Sequence, residues 1–181
     1  MTFNSISIDS STADNDHLRH LYETAFPVQE QIPYDDLIVL LDIMDIDYTA
    51  YYDGENLVGL TMVLRMPQYN WGWYFAVQEQ LRGKGYGQQI LSALLDKYHS
   101  RNPFIIDIES PLQGDAPNPE QRRRRHAFYR RNGLKDTPTE RTFDGVTFTI
   151  MTNSEAPFNQ RNYDDVLADL RAVWQNMPSS Q

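Results

Sequence analysis

Cysteine is absent from the 181 residues, which excludes a disulfide framework, a thiolate metal site and a cysteine nucleophile. No apolar run approaches the ~20 residues that a membrane-spanning helix needs. The opening Met1-Thr2-Phe3-Asn4-Ser5 lacks the basic stretch and apolar run of a secretory signal, so a cytoplasmic chain with no membrane partner is expected. Positive charge is scarce. Against 25 Asp and Glu stand 16 Lys and Arg, giving a net charge of −9 and a pI near 4.8, a poor match for nucleic acid, whose phosphates reward clustered cations. The four histidines are scattered, and no carboxylate–histidine spacing proposes a metal. No repeat, low-complexity tract or linker interrupts the chain before the polar Pro178-Ser179-Ser180-Gln181. Charged residues at 23% are ordinary, so wholesale disorder is excluded, and one domain is the default at this length.

The charge that is present sits unevenly. Residues 1–60 hold 12 acids and one cation, Arg19, a balance of −11. Six of the later cations are Arg122, Arg123, Arg124, Arg125, Arg130 and Arg131. The first third thus attracts cations and the later segment anions, unless both are solvated faces.

Periodicity supplies the elements. Phe3–Ile8 alternates as a strand. Leu18, Leu21, Tyr22 and Ala25 form a helical stripe that stops at Pro27, and Pro33 suits the first position of a helix running through Met44. Ile46–Tyr52 and Leu57–Met66 read as strands joined at Asp53-Gly54-Glu55-Asn56, followed by the aromatic, β-prone Trp71–Val77. Ile90, Leu91, Leu94, Leu95 and Tyr98 make a helical stripe, and Phe104–Glu109 a short strand. Asn118 as N-cap, Pro119 at the first helical position and Gln121 in a capping-box-like place predict a helix. It ends at Gly133, with Arg130 and Arg131 suiting its negative end. A hairpin around Asp144-Gly145 joins Leu134–Phe143 to Val146–Thr152, and Tyr163, Val166, Leu167, Leu170, Val173 and Trp174 mark a terminal amphipathic helix. The order β-α-α-β-β-β-α-β-α-β-β-α predicts an α/β fold, a mixed sheet with helices packed on it. A single domain is expected, with its core over residues 1–153, a C-terminal helical extension over 154–177 and a tail over 178–181.

Between the Trp71–Val77 strand and the next helix lies Leu81-Arg82-Gly83-Lys84-Gly85-Tyr86-Gly87. Glycines at alternate positions let backbone amides turn inward as an anion nest, at the positive end of the helix that follows. Such a site suits a pyrophosphate. The P-loop signature fails because Lys84 is followed by Gly85, and the dinucleotide fingerprint fails at Gln88. A glycine-rich turn without a ligand is the alternative.

Arg82-Gly83-Lys84-Gly85-Tyr86-Gly87 resembles the signature of the GNAT acetyltransferases, Gln or Arg, two residues, Gly, one residue, Gly or Ala. Tyr74-Phe75-Ala76-Val77 looks like the strand that leads into it. Ala127-Phe128-Tyr129-Arg130-Arg131-Asn132-Gly133-Leu134 resembles the family's Phe-Tyr, two residues, Gly-Phe segment. The likeness runs from about Ile6 to Thr152. It implies a GNAT-like mixed sheet splayed between the Trp71–Val77 and Phe104–Glu109 strands, an extra C-terminal helix, and acetyl-CoA as the acetyl donor. By resemblance, backbone groups of Phe75, Ala76 and Val77 hold the pantetheine arm and thioester carbonyl, and amides of Arg82, Gly83, Lys84, Gly85, Tyr86, Gly87 and Gln88 hold the pyrophosphate. The family often carries Asn seven residues before the helix tyrosine; Arg122 stands there instead.

A thioester meeting an amine needs a free amine and a proton for the leaving thiolate. Tyr129 matches the family's general acid. On a helix it shares a face with Arg122, Arg125 and His126, and the guanidinium charge of the two arginines is expected to lower its pKa; a packed core tyrosine is the alternative. For the base, Asp107 and Glu109 share a strand face, and Glu109 at the strand's end ranks first, its pKa expected to rise through burial beside a second carboxylate. Glu109 as an anchor for the substrate ammonium, Glu30 and a water relay remain alternatives. His126 reads as a helix-surface histidine. Of the arginine run, one or two side chains suit the CoA 3′-phosphate.

These readings converge on an N-acetyltransferase that moves the acetyl group directly to an amine on a small molecule or peptide, of small or cationic character, with no metal and no covalent intermediate. A non-catalytic acyl-CoA-binding module is the rival reading. Oligomeric state is not legible.

Overall fold

The computed structural model describes residues 3–98 and 102–177; the expected tail, residues 178–181, lies outside them. The chain packs as two units. One comprises residues up to Met66 together with Gly72–Leu94, the other Pro67–Trp71 with Leu95–Met177.

In the first unit, β1 (Phe3–Ile8), β2 (Ile46–Asp53) and β3 (Asn56–Arg65) form an antiparallel meander. β3 buries eight consecutive residues, Leu57 to Leu64, because both of its faces are covered. Helix α1 (Asp16–Ala25) starts at Asn15, whose side chain accepts from the amides of His17 and Leu18, and buries Leu18, Leu21 and Tyr22. A single 3-10 turn, Val28–Glu30, follows. Helix α2 spans Tyr34–Ile43, shorter at both ends than expected. Pro33 has ψ 132°, so its extended backbone makes it the residue before the helix, and Met44 likewise turns extended. Gly72–Val77 of β4 (Asn70–Val77) belongs here, with α3 (Tyr86–Lys97) up to Leu94, which buries Tyr86, Ile90, Leu91 and Leu94. Tyrosine hydroxyls meet partners inside the core. Tyr74 donates to the Glu30 carbonyl (2.8 Å), and Tyr34 to that of Ala13 (2.9 Å).

In the second unit, β5 (Phe104–Glu109) pairs antiparallel with β7 (Val146–Thr152), from Ile105↔Thr152 to Glu109↔Phe148. β7 in turn pairs with β6 (Lys135–Phe143). The β6–β7 turn has φ 47° at Asp144 and 75° at Gly145, the left-handed pair that a tight two-residue hairpin demands. The first residues of β4 run parallel to β5, Asn70↔Phe104 and Trp71↔Ile105. Hydrogen bonding thus orders the strands β1-β2-β3-β4-β5-β7-β6 in an open, mixed sheet, and the α/β fold carries five α-helices among the described residues. Helix α4 (Pro119–Arg131) follows β5, and α5 (Gln160–Gln175) ends the described chain. α5 buries Tyr163 and Val166, leaves Leu167, Leu170 and Val173 half-buried and exposes Trp174, so its apolar stripe is fully buried at the N-terminal end only.

The N-cap of α4 departs from expectation. Asn118 occupies the position but its side chain caps no helix amide. Its Oδ1 accepts instead from Nε of Arg122 (2.8 Å), a charged donor that outcompetes a peptide N–H.

Candidate active site

The glycine loop sits between β4 and α3 in the first unit. A 3-10 turn, Glu79–Leu81, leads into it. The Arg82 amide donates to the Glu79 carbonyl (3.1 Å), and Arg82 Nε donates to the Val77 carbonyl (3.2 Å), pinning the loop to the strand end. Gly83 and Gly85 adopt φ 77° and 89°, where side-chain-bearing residues are strained. A Cβ at either would meet nothing within 4 Å, so backbone conformation, not crowding within the chain, is what demands glycine. The amides of Gln88 and Gln89 both donate to the Gly85 carbonyl (3.1 and 3.2 Å). Of the seven amides expected to bind anion, those of Arg82 and Gln88 are therefore committed within the chain. The amides of Gly83, Lys84, Gly85, Tyr86 and Gly87 donate to no other described residue. Five free donors at a helix N-terminus fit a pyrophosphate, the group that CoA would bring.

Two contacts fix this loop. The Tyr86 hydroxyl donates to Asp53 Oδ2 (2.6 Å), tying the first turn of α3 to the β2–β3 turn. At Gly59 on β3 a Cβ would lie 2.6 Å from the Ala76 carbonyl oxygen and 2.7 Å from Ile90 Cδ1, so glycine there lets β3, β4 and α3 close on one another. In β4 the side chains of Phe75 and Val77 are half-buried and that of Ala76 buried.

The second unit carries Tyr129 and Glu109. Tyr129 is buried on α4, and burial raises its pKa; the Arg125 cation opposes the rise without reversing it. The sequence expectation of a lowered pKa is thus corrected, because desolvation of the phenolate outweighs one neighbouring charge. Glu109 lies between two guanidinium groups rather than beside a second carboxylate. Its Oε1 accepts from Arg122 Nη2 (2.7 Å) and its Oε2 from Arg125 Nη1 (3.0 Å). Arg122 is only 2% exposed, and each guanidinium nitrogen has a partner, Asn118 at Nε, Gln113 at Nη1 (2.9 Å) and Glu109 at Nη2. Gln113 also accepts from the Thr147 amide (3.1 Å) and donates to the Gly145 carbonyl (3.0 Å). The residue in place of the family asparagine thus ties the end of β5, the β5–α4 loop, the first turn of α4 and the β6–β7 hairpin together.

Asp107, the lower-ranked carboxylate, is committed elsewhere. It accepts from Trp71 Nε1, Arg141 Nη2 (2.9 Å) and the Tyr163 hydroxyl (3.0 Å), joining β4, β6 and α5 to β5. His126 pairs with Asp136 (2.7 Å). Arg123 and Arg124 both pair with Glu120 (3.4 and 3.8 Å). Glu30 ends the 3-10 turn of the first unit. Among the described residues no three His, Asp or Glu side chains cluster as metal ligands, and no helix is long and apolar enough to cross a membrane.

A family model described as an acetyltransferase (GNAT) domain matches residues 45–135. No curated protein matches the chain in sequence. Solved structures do. An acetyltransferase assigned to the GNAT family from Bacteroides thetaiotaomicron is 19% identical over 97% of this chain and 99% of its own, with a TM-score of 0.73. The ribosomal-protein-S18-alanine N-acetyltransferase of Escherichia coli is 15% identical over 87% of this chain and 98% of its own (TM-score 0.63). An aminoglycoside 6′-N-acetyltransferase complexed with coenzyme A is 13% identical over 86% and 99% (TM-score 0.62). These structural likenesses share the fold; the matched model spans half the sequence, and the chain belongs to the GNAT acetyltransferase family.

Proposed function

We propose that the protein transfers an acetyl group from acetyl-CoA directly to an amine, carried by a small or cationic molecule or peptide. The observation that supports this most is the row of five free amides from Gly83 to Gly87 at the start of α3. Those amides hold the pyrophosphate, with Arg82 and Gln88 shaping the loop, and backbone groups of Phe75, Ala76 and Val77 hold the pantetheine arm. Acetyl-CoA, when bound, supplies the acetyl group as a thioester. The S18-alanine and aminoglycoside enzymes carry N-acetyltransferase in their names, which supports an amine acceptor here. The −11 balance of residues 1–60 favours a cationic one. We place the reaction in the cytoplasm, with neither nucleic acid nor a membrane as partner and no metal called upon.

Tyr129 is the proton donor at its hydroxyl. Held protonated by burial, it offers a hydrogen to the leaving sulfur at every physiological pH. Glu109 is our candidate for taking the ammonium proton. The oxygen available for that is Oε2, because its partner Arg125 is 37% exposed, whereas Arg122, on Oε1, is 2% exposed and bonded at every guanidinium nitrogen. Glu30 or a relayed water is the fallback base.

The test is a pair of variants. A positioned acid typically contributes ~10²–10⁴ in rate, so Tyr129→Phe should lower kcat by a factor in that range while acetyl-CoA affinity by calorimetry holds. Glu109→Gln keeps the shape and removes the proton acceptor, so kcat should fall by a factor in the same range. Wild-type kcat in Tyr129→Phe would refute the donor role, and a raised KM with kcat intact in Glu109→Gln would make Glu109 an ammonium anchor. Acetyl-CoA binding without turnover on any amine would support the non-catalytic reading.

A further inference from the structure

The two end strands of the sheet are protected very differently. β6 carries Lys135, Asp136, Glu140 and Arg141, has Pro138 where an amide is needed, and breaks register with β7 between Asp136 and Glu140. Charge, proline and irregular register are the devices by which an edge strand avoids pairing with another chain. β1 has none of them. Phe3-Asn4-Ser5-Ile6-Ser7-Ile8 contains no charge, proline or glycine, and its register with β2 runs unbroken from Phe3↔Asp53 to Ile8↔Tyr48. Asn4, Ser5, Ile6 and Ser7 are exposed, Ile6 at 48%, and among the described residues β1 pairs along one edge only, with β2.

The contrast selects one pairing between copies of the chain. β1 against β6 would be head-to-tail and open-ended, and β6 blocks it; β1 against β1 is self-complementary and closes after two copies. We propose that β1 is the interface of a homodimer, in which it pairs antiparallel with β1 of a second copy to continue the sheet. A two-fold axis through Ile6 sets Ile6 opposite Ile6, Ser5 opposite Ser7 and Asn4 opposite Ile8, so no like charges meet within the strand pair. The acidic excess of residues 1–60 opposes the approach, and salt that screens it should therefore tighten the dimer.

Sedimentation velocity from ~1 to ~200 µM protein, in low salt and in ~0.3 M NaCl, tests this. The expected result is a reversible monomer–dimer equilibrium that strengthens with salt. Ile6→Lys and, separately, Ser5→Lys place a charge on the exposed edge and should each raise the dimer dissociation constant by about tenfold or more while the melting temperature holds. Phe143→Ser, on the exposed surface of β6, should leave the equilibrium unchanged. A monomer at every concentration would overturn the proposal. So would a dimer that survives both lysines or is lost with Phe143→Ser, or a monomeric chain whose β1 binds a lysine-flanked extended peptide, since that gives the edge to a foreign strand.

Discussion

Arg122→Met replaces a buried cation by an unbranched apolar side chain at the centre of the second unit. The wild-type guanidinium is 2% exposed and donates at 2.8 Å to Asn118, 2.9 Å to Gln113 and 2.7 Å to Glu109. Breaking a buried ion pair by removing one partner typically costs about 3–5 kcal/mol, because the other charge is left desolvated. Three features of the site soften the loss. Glu109 keeps Arg125 at 3.0 Å, Gln113 keeps the Thr147 amide at 3.1 Å, and Asn118 is released to cap α4. The lower end applies, about 3 kcal/mol, which at roughly 2–4 °C per kcal/mol for a chain of this size lowers the melting midpoint by about 6–12 °C. Urea unfolding measures it. Glu109→Met alone should cost at least as much, since it strands Arg122 among neutral acceptors. The double variant should then cost clearly less than the two losses added, because the charges compensate each other. Arg122→Met within ~0.5 kcal/mol of wild type, or strict additivity of the pair, would show that the buried Arg122–Glu109 pair does not hold this unit together.

At Gly59, alanine puts a methyl 2.6 Å from a backbone oxygen that cannot step aside cheaply, so Gly59→Ala should lose about 1–3 kcal/mol by urea unfolding; an unchanged midpoint would show that β3 and β4 do not close there. At Gly85 the strain is conformational: Gly85→Ala should cost about 1–2 kcal/mol and weaken acetyl-CoA binding in calorimetry, with unchanged affinity in a folded variant counting against the loop. Burial raises the pKa of Tyr48, Tyr74, Tyr129 and Tyr163. Above the ordinary value near ~10 the unfolded chain binds fewer protons than the folded one, so stability is intact below that pH and falls as pH rises past it. Tyrosinate absorbance from these residues should therefore appear together with loss of the fold; their smooth titration near pH ~10 in a folded protein would contradict their burial.

Local pattern fixed what local physics governs. The strands Phe3–Ile8 and Phe104–Glu109 stand where alternation and apolar character place them. Gly83, Gly85 and Gly133 take the left-handed backbone that their positions in turns and helix ends imply. What escaped were outcomes decided by partners distant in sequence. An arginine is by default exposed, and nothing local tells that Arg122 is fully buried by Glu109, 13 residues away, and Gln113, 9 residues away. The same contact robs Asn118 of its expected cap. The sign of the Tyr129 shift depends on how deeply α4 packs, which the sequence does not state; desolvation there outweighs the Arg125 cation. The need for glycine at position 59 rests on Ala76 and Ile90, invisible without the register of β3 against β4 and α3.

The proposed direct transfer of an acetyl group from acetyl-CoA to an amine is decided by incubating the protein with acetyl-CoA and a panel of cationic, neutral and acidic amines, with free thiol and acetylated amine quantified in the same sample. Direct transfer releases thiol and acetylated amine in equal amounts, fastest for a cationic or neutral amine and slower for that amine as salt rises. Thiol released without acetylated amine, or a polyanion as the best acceptor with rates indifferent to salt, would contradict it.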